Sequence, residues 1–221
     1  MTQAPRTIRL DQLESIPGPG SLTWRPVRAT LGVRAFGCNA YTAANTGDDV
    51  VEPHTEDPAL AHEELYFVAS GRATFTIDGD EHDAPAGTYV FIPDPASQRH
   101  AVAAEPQTTV LSFGGPPTFE PSAWEWAFRA APLMRTDPAK AREILAEGLK
   151  AKPKAATLHY NLACLEAIEG NRDEALTALG QAFGVLREEP RKELAASARE
   201  DEDFASLRDD PDFQTLSGQS G

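Results

Sequence analysis

Short apolar stretches that alternate with polar residues fill the first half of the chain, and an apolar period typical of helices fills the second half. In the first half, Gly, Pro, Asp and Asn interrupt the apolar stretches at the spacing of an all-β domain. Asp78-Gly79 predicts a tight hairpin, because glycine readily adopts positive φ. Strands are predicted at 50–54, 65–69, 73–77, 88–92, 101–103 and 108–113, with two more apolar runs within 24–41.

The pattern changes after Gly114-Gly115-Pro116-Pro117, where Ala, Leu and Glu become common and a linker is predicted. A 34-residue repeat follows, in which Ala141, Leu145 and Gly148 are matched one period later by Ala175, Leu179 and Ala182. Small residues at such positions let two antiparallel helices approach closely. About two repeat units are expected, at 122–155 and 156–189, and a helical cap is expected from 192 onward.

These changes of pattern predict how the chain divides. The predicted parts are an N-terminal segment at 1–21, a β domain at 22–115, a linker at 116–121, a helical domain at 122–216 and a disordered tail at 217–221.

Composition limits the partners and the compartment. The net charge of −14 argues against nucleic acid and anionic membrane, since both attract clustered positive charge. Cys38 and Cys164 lie too far apart to form a CxxC metal site and are expected to be buried and unreactive. Residues 1–10 lack the apolar core of a signal peptide, and no apolar run reaches the roughly 20 residues of a membrane span. A cytoplasmic protein is therefore expected.

The β region resembles the cupin superfamily of small jelly-roll barrels. The first cupin motif places six residues between a glutamate and a glycine, as between Glu64 and Gly71. The second motif places five residues between a glycine and a proline, as between Gly87 and Pro93. This resemblance implies a jelly-roll β-barrel.

The helical region is similar to the tetratricopeptide repeat, although its repeats are degenerate. Leu162 and Ala163 stand at packing positions of the first helix of that repeat, and Gly170-Asn171 stands in its turn. The expected fold class is therefore α+β multidomain, with an N-terminal cupin barrel followed by C-terminal helical hairpins of tetratricopeptide type.

The cupin resemblance also implies a metal site inside the barrel. Its usual ligands are an H-x-H pair, a glutamate and a histidine from a distant strand, a set that suits Fe, Mn, Ni, Cu or Zn. In this chain Glu52-Pro53-His54 stands where the pair belongs, so a glutamate replaces one histidine. The implied divalent transition metal would be held by His54, His62, Glu64 and His100, with Glu52 in reserve. An alternative stays open, in which these side chains form a hydrogen-bonded polar patch that binds no metal.

Alternation along one strand predicts which side chains face the interior. If Glu64 points inward, Tyr66, Val68 and Ser70 do so too, because residues i and i+2 share a face. The alternate side chains would then face outward and would have to be buried against another surface. They are Leu65, Phe67 and Ala69. The cover could be a second chain, the N-terminal segment or the helical domain, and a homodimer formed through the barrel is the first expectation.

Two functional hypotheses follow from these patterns. In the first, the barrel is a metal-dependent oxygenase, isomerase or lyase acting on a small organic molecule, with Tyr66 as an acid/base or orienting group. In the second, the barrel is a non-catalytic small-molecule-binding or sensory module, and the helical domain docks a protein partner or another copy of the chain. A nucleotide is not expected, because the sequence has no glycine-rich phosphate-binding loop.

Overall fold

The structure is a computed structural model that describes residues 7–218. The chain divides into two compact units, Met1–Phe119 and Glu120–Gly221. The first unit consists mainly of antiparallel strands and the second of helices, so the layout is α+β. Within the described residues, no helix is long and apolar enough to cross a membrane.

Strands build two sheets in the first unit, which we call the β unit. The six-stranded sheet has the order β1-β2-β3-β10-β5-β8, and the four-stranded sheet has the order β4-β9-β6-β7. A short helix, α1 (Val27–Leu31), lies between β2 and β3. The strands are β1 Ile16–Pro17, β2 Leu22–Arg25, β3 Gly37–Ala43, β4 Asp49–His54, β5 Glu63–Ser70, β6 Arg72–Ile77, β7 Asp80–Pro85, β8 Tyr89–Ile92, β9 Arg99–Ala103 and β10 Thr108–Gly115.

The inward faces of the strands form one hydrophobic core. Tyr66 and Val68 on β5 are 1% and 0% exposed, and Tyr66 packs its ring against Phe75 of β6 at a centroid distance of 5.5 Å. Phe67, one residue along β5, points the other way and packs its ring against Tyr89 of β8 at a centroid distance of 4.6 Å, with the rings tilted by 36°. Alternation therefore places apolar side chains on both faces of β5, as expected, although Ser70 at its end is exposed.

Glycine with positive φ occupies two turns of the β unit. Asp78 and Gly79 both adopt positive φ, at 51° and 96°, and they join β6 to β7 in the predicted hairpin. Gly71 joins β5 to β6 with a φ of 73°. A Cβ atom at Gly71 would lie 2.4 Å from Oγ1 of Thr108, so this turn has room only for glycine.

Strand β7, the second arm of the predicted hairpin, has no predicted range of its own. Its residues read Asp-Glu-His-Asp-Ala-Pro, and only Ala84 among them is buried. It lies at the edge of the four-stranded sheet, where a strand needs no apolar face and tolerates proline. The apolar alternation that marks a half-buried strand is therefore missing from this segment.

Helices form the second unit, which we call the helical unit. Ala141, Leu145, Ala175 and Leu179 are fully buried, so the residues that repeat in the sequence occupy the core. A Cβ atom at Gly148 would come within 2.8 Å of the Trp126 ring, which explains a glycine inside a helix. The resemblance to tetratricopeptide hairpins and the closure of the jelly roll stay predictions. The helices are α2 Ala123–Ala130, α3 Pro138–Ala151, α4 Ala156–Ile168, α5 Arg172–Gly184, α6 Glu188–Glu200 and α7 Pro211–Leu216.

The C-terminal part of the helical unit packs as a cap. Phe204 and Phe213 are fully buried, and their rings lie 5.6 Å apart. Ser217, which the sequence placed in a disordered tail, is only 1% exposed, and its backbone N–H donates to the carbonyl of Phe213 at the end of α7. Residues 219–221 of that predicted tail lie outside the described residues.

Candidate functional site

The β unit contains a cavity of about 740 Å³. Strands β3, β4, β5 and β10 contribute to its wall, together with the segment that follows α1. Polar side chains able to donate or accept hydrogen bonds lie along it, among them Asn39, Tyr41, His54, His62, Glu64 and Tyr66. A cavity of this size, lined by a few convergent polar groups, has the properties of a small-molecule site.

Glu64 is the centre of the polar cluster in this cavity. Its Oε2 accepts a hydrogen bond of 2.6 Å from the hydroxyl of Tyr66, which follows two residues later on the same face of β5. The same oxygen lies 3.3 Å from Nη1 of Arg99 and 3.7 Å from Nε2 of His54. One carboxylate oxygen thus lies close to three potential donors.

His54, at the end of β4, is held in a defined orientation. Its Nδ1 lies 2.7 Å from the backbone carbonyl of Glu52, so Nδ1 carries the proton that this contact needs. Nε2 therefore faces the carboxylates of Glu56, at 3.8 Å, and Glu64. The pairing of β4 with β9 changes register between Val51 and His54, just before this histidine.

The contacts in the cluster change the pKa of each member. Burial alone would raise the pKa of Glu64, but His54, Tyr66 and Arg99 together hold it below its ordinary value. The Glu64 carboxylate raises the pKa of the His54 imidazole, although burial opposes this effect. Burial and then the charge of Glu64 raise the pKa of the Tyr66 phenol, so Tyr66 remains a donor at neutral pH.

The structure brings together four of the five residues predicted for the site. His54, His62, Glu64 and Tyr66 all line the cavity. His100 is not with them, contrary to the predicted ligand set. It lies between the buried residues Arg99 and Ala101 on β9 and therefore points out of the core, where its Nε2 contacts Asp49 at 2.7 Å. The reserve ligand, Glu52, is exposed beside His54.

Sequence reasoning missed Arg99. Its side chain is completely buried, and its Cα pairs with His54 of β4 on one side and with Ile77 of β6 on the other. His100 was the residue predicted to face inward from this strand, and it belongs to the opposite face of β9. A displacement of one residue exchanges the two faces of a strand. The alternation of Arg99, Ala101 and Ala103 was the signal that could have found the correct face.

A divalent metal does not fit these groups well. His54, Glu56 and Glu64 each offer one ligand atom, and these atoms lie within 4.8 Å of one another. However, Oε2 of Glu64 already accepts from Tyr66 and faces the guanidinium of Arg99, which cannot lose its proton. The Arg99 guanidinium thus already supplies a positive charge at the carboxylate that a metal would have to bind.

A comparison with protein families matches part of the β region. Residues 45–113 match the family model described as Cupin domain. The match supports the cupin superfamily for this segment, in agreement with the spacing of Glu64, Gly71, Gly87 and Pro93. Among curated proteins, none matches the chain.

Several solved structures resemble about half of the chain. KdgF from Halomonas sp. is 16% identical, with 49% of this chain and 92% of that chain covered and a TM-score of 0.41. A sugar phosphate isomerase of the cupin superfamily from Silicibacter pomeroyi is 19% identical, with 50% and 75% covered and a TM-score of 0.42. A "predicted oxalate decarboxylase" from Thermotoga maritima is 16% identical, with 50% and 99% covered and a TM-score of 0.41. The activities in these names are those of the named proteins.

Proposed function

We propose that the β unit binds a small hydroxyl-bearing organic acid in the cavity around Glu64, by hydrogen bonds and ion pairing. The observation that carries this proposal is the convergence of Tyr66, His54 and Glu64 on one cavity of about 740 Å³. Carboxylate, imidazole and phenol groups recognise hydroxyl groups by donating and accepting hydrogen bonds. The protein would then act as a binding or sensory module.

Two arginines in the lining support an acidic ligand. Arg28 and Arg34 line the same cavity, and both are exposed, so their guanidinium groups are free to meet an incoming anion. A guanidinium binds a carboxylate or a phosphate through two parallel hydrogen bonds. In a protein with a net charge of −14, such a pair of arginines gives an anionic ligand a local point of attraction.

The second candidate is the metal-dependent enzyme predicted from the sequence. The observation in its favour is the group formed by His54, Glu56 and Glu64. The observation against it is the buried charge of Arg99 beside Glu64. Tyr66, as the predicted acid/base, would have to release a proton that its surroundings retain.

A thermal-shift screen of the full chain tests the binding proposal. Its probes are monosaccharides, hydroxycarboxylic acids, sugar acids and sugar phosphates, each added to metal-free protein. A true ligand at one hundred times its Kd stabilises the folded state by about 2.7 kcal/mol and raises the melting temperature by several degrees. The proposal fails if no probe of these classes stabilises the protein.

A pair of matched variants locates the binding. Ala35→Trp places a large ring at the lining of the cavity, whereas Ala104→Trp places the same ring at an exposed position outside the lining. We expect Ala35→Trp to abolish the shift and Ala104→Trp to retain it. A shift that survives Ala35→Trp would place the ligand elsewhere on the protein.

We also propose that the β unit pairs with a second copy through the outer face of its six-stranded sheet. Leu65 and Phe67 on β5 pair in register with Phe91 and Tyr89 on β8, and all four side chains point away from the core. Phe91 and Tyr89 are 56% and 65% exposed. Contiguous exposed aromatic surface of this kind is typical of an interface. A docking role for the helical unit stays a prediction.

A further inference from the structure

Arg99 places a permanent positive charge inside the β unit. Its side chain has no exposed surface, and its Nη1 lies 3.3 Å from Oε2 of Glu64. A guanidinium keeps its proton in proteins, so this charge does not vary over the physiological pH range. Glu64 therefore has a fixed counter-charge that belongs to the fold.

Neighbouring groups hold the guanidinium in this position. Nη2 of Arg99 donates to the backbone carbonyl of Asp94 at 3.0 Å, in the turn that leads into β9. On the other side of the strand pair, His54 lies directly opposite Arg99 in the register of β4 and β9. Nε and Nη1 have no hydrogen-bond partner among the described residues, so Arg99 contributes charge to the cluster more than hydrogen bonds.

A divalent cation bound to Glu64 would have to share the same carboxylate with this guanidinium. Both charges would lie in a poorly screened interior, where repulsion between like charges is strong. The alternative is that the guanidinium already performs the electrostatic task of a metal, which is to neutralise a buried carboxylate.

We propose that the Arg99 guanidinium takes the place of a divalent metal in this cavity, so that Glu64 serves as a charge-neutralised hydrogen-bonding group and not as a metal ligand. Ligand binding at this site is then independent of metal. The inference rests on the proposed function only for the location of the ligand, because the charge balance can be measured without any ligand.

Titration with Co²⁺ tests this inference directly. Bound Co²⁺ absorbs visible light, so its binding to the full chain can be followed after treatment with a chelator. We expect wild-type protein and Glu64→Gln to give the same Co²⁺ titration, because Glu64 holds no metal. In Arg99→Gln and Arg99→His, we expect the affinity for Co²⁺ to rise at least tenfold, and the added change Glu64→Gln to reverse the gain.

Arg99→Lys is the matched control, because it retains a positive charge at the same position. We expect it to bind Co²⁺ no better than the wild type, and circular dichroism establishes which variants are folded.

One equivalent of Co²⁺ bound by the wild type and lost in Glu64→Gln would overturn the inference. It would also be overturned if folded Arg99→Gln and Arg99→His gained no affinity. If neither variant folds, the comparison of the wild type with Glu64→Gln decides.

The titration and the ligand screen can fail independently. A small molecule that stabilises the protein only when Co²⁺ is present would support the cavity as a binding site and overturn the role of Arg99. If no small molecule binds with or without Co²⁺, the proposed function fails. The comparison of the wild type, Glu64→Gln and the Arg99 variants would still decide whether Arg99 excludes metal.

Discussion

The guanidinium of Arg99 and the carboxylate of Glu64 face each other inside the β unit, with the first side chain fully buried and the second 13% exposed. Tyr66 completes the arrangement by donating to the same carboxylate oxygen. A buried charge that loses its partner is strongly destabilising, whereas replacing both partners together is often tolerated. The pair therefore contributes to the stability of the β unit as well as to the chemistry of the cavity.

Replacing Arg99 should show how much its pairing with Glu64 contributes to the stability of the β unit. We expect Arg99→Met to lower the free energy of unfolding by about 3–5 kcal/mol, because Glu64 would remain buried without its counter-charge. Urea denaturation of the full chain measures the loss. The double variant Arg99→Met/Glu64→Gln should be more stable than Arg99→Met alone. Equal stability of the single and double variants would show that the two charges are not coupled.

The phenol of Tyr66 should resist ionisation in the folded protein. Its burial and the nearby charge of Glu64 raise its pKa well above the ordinary value, so the folded state retains this proton. Because the folded-state pKa is raised, the stabilising contribution is present below the ordinary tyrosine pKa of about 10 and is lost as the pH rises above it. We expect Tyr66→Phe to leave the absorbance change at 295 nm unaltered up to about pH 11.

The same titration in concentrated urea is the control for Tyr66. The chain has four tyrosines, so the unfolded Tyr66→Phe variant should lose about a quarter of the wild-type amplitude. A loss of similar size in the folded protein would mean that Tyr66 ionises normally and is not held by Glu64.

Gly71 should tolerate substitution less well than Gly87. Both adopt positive φ, at 73° and 92°, so alanine strains the backbone at either position by about 1–2 kcal/mol. At Gly71 the new Cβ would also meet Thr108 at 2.4 Å, whereas at Gly87 it would meet nothing within 4 Å. Thermal unfolding should therefore show a larger loss for Gly71→Ala. Equal losses would mean that Thr108 moves aside without cost.

The fold of the β unit could be predicted from the sequence where the apolar pattern and the turn residues indicated the same structure. Asp78-Gly79, Gly71 and the alternation of Tyr66 and Val68 each carried a signal that depends only on nearby residues. The sequence pattern did not predict the range of strand β7, because an exposed edge strand needs no apolar alternation. The short helix α1 was not predicted, because five residues are too few to show a helical period.

Within the candidate site, the sequence alone determines which side chains share a face only where they lie on one strand. Glu64 and Tyr66 are two residues apart on β5, so their common face follows from alternation. The position of Arg99 depends instead on the register of β9 against β4 and β6, which the sequence of β9 does not reveal. That long-range register places Arg99 inside and His100 outside.

The helical unit should lose stability in acid through Glu166. Arg142 donates to this carboxylate at 2.7 and 2.9 Å, and its contact is the largest cause that lowers the pKa of Glu166, followed by Asn171. Because the folded-state pKa is lowered, the stabilising contribution is present above the ordinary value of about 4.3 and is lost as the pH falls through the folded-state pKa.

Urea unfolding followed by the helical circular-dichroism signal measures this effect. At pH 7 we expect Glu166→Gln to be less stable than the wild type by about 1.5–3 kcal/mol, since a charged hydrogen-bonded group is lost. The difference should shrink as the pH is lowered toward 3. Glu147→Gln, at an exposed position on α3, is the control, and a pH-independent difference for Glu166→Gln would contradict the assignment.

The outer face of the six-stranded sheet should control self-association. We expect the wild type to sediment as a dimer and Tyr89→Lys/Phe91→Lys to sediment as a monomer, because two buried charges per copy would oppose pairing. Phe128→Lys changes an aromatic residue of comparable exposure on the helical unit and should leave the dimer intact. A wild-type monomer in analytical ultracentrifugation would refute the pairing proposal.

The acidic residues of strand β7 also affect contacts between sheet edges of two copies of this protein. Its free edge displays unpaired backbone groups, which in other sheets invite a strand from a second molecule. Asp80 and Glu81 place carboxylates on that strand, whereas Asp83 pairs with Arg72, so two such strands brought together would repel. The polar sequence that hides this segment from a search for apolar alternation therefore also opposes edge-to-edge pairing between two copies.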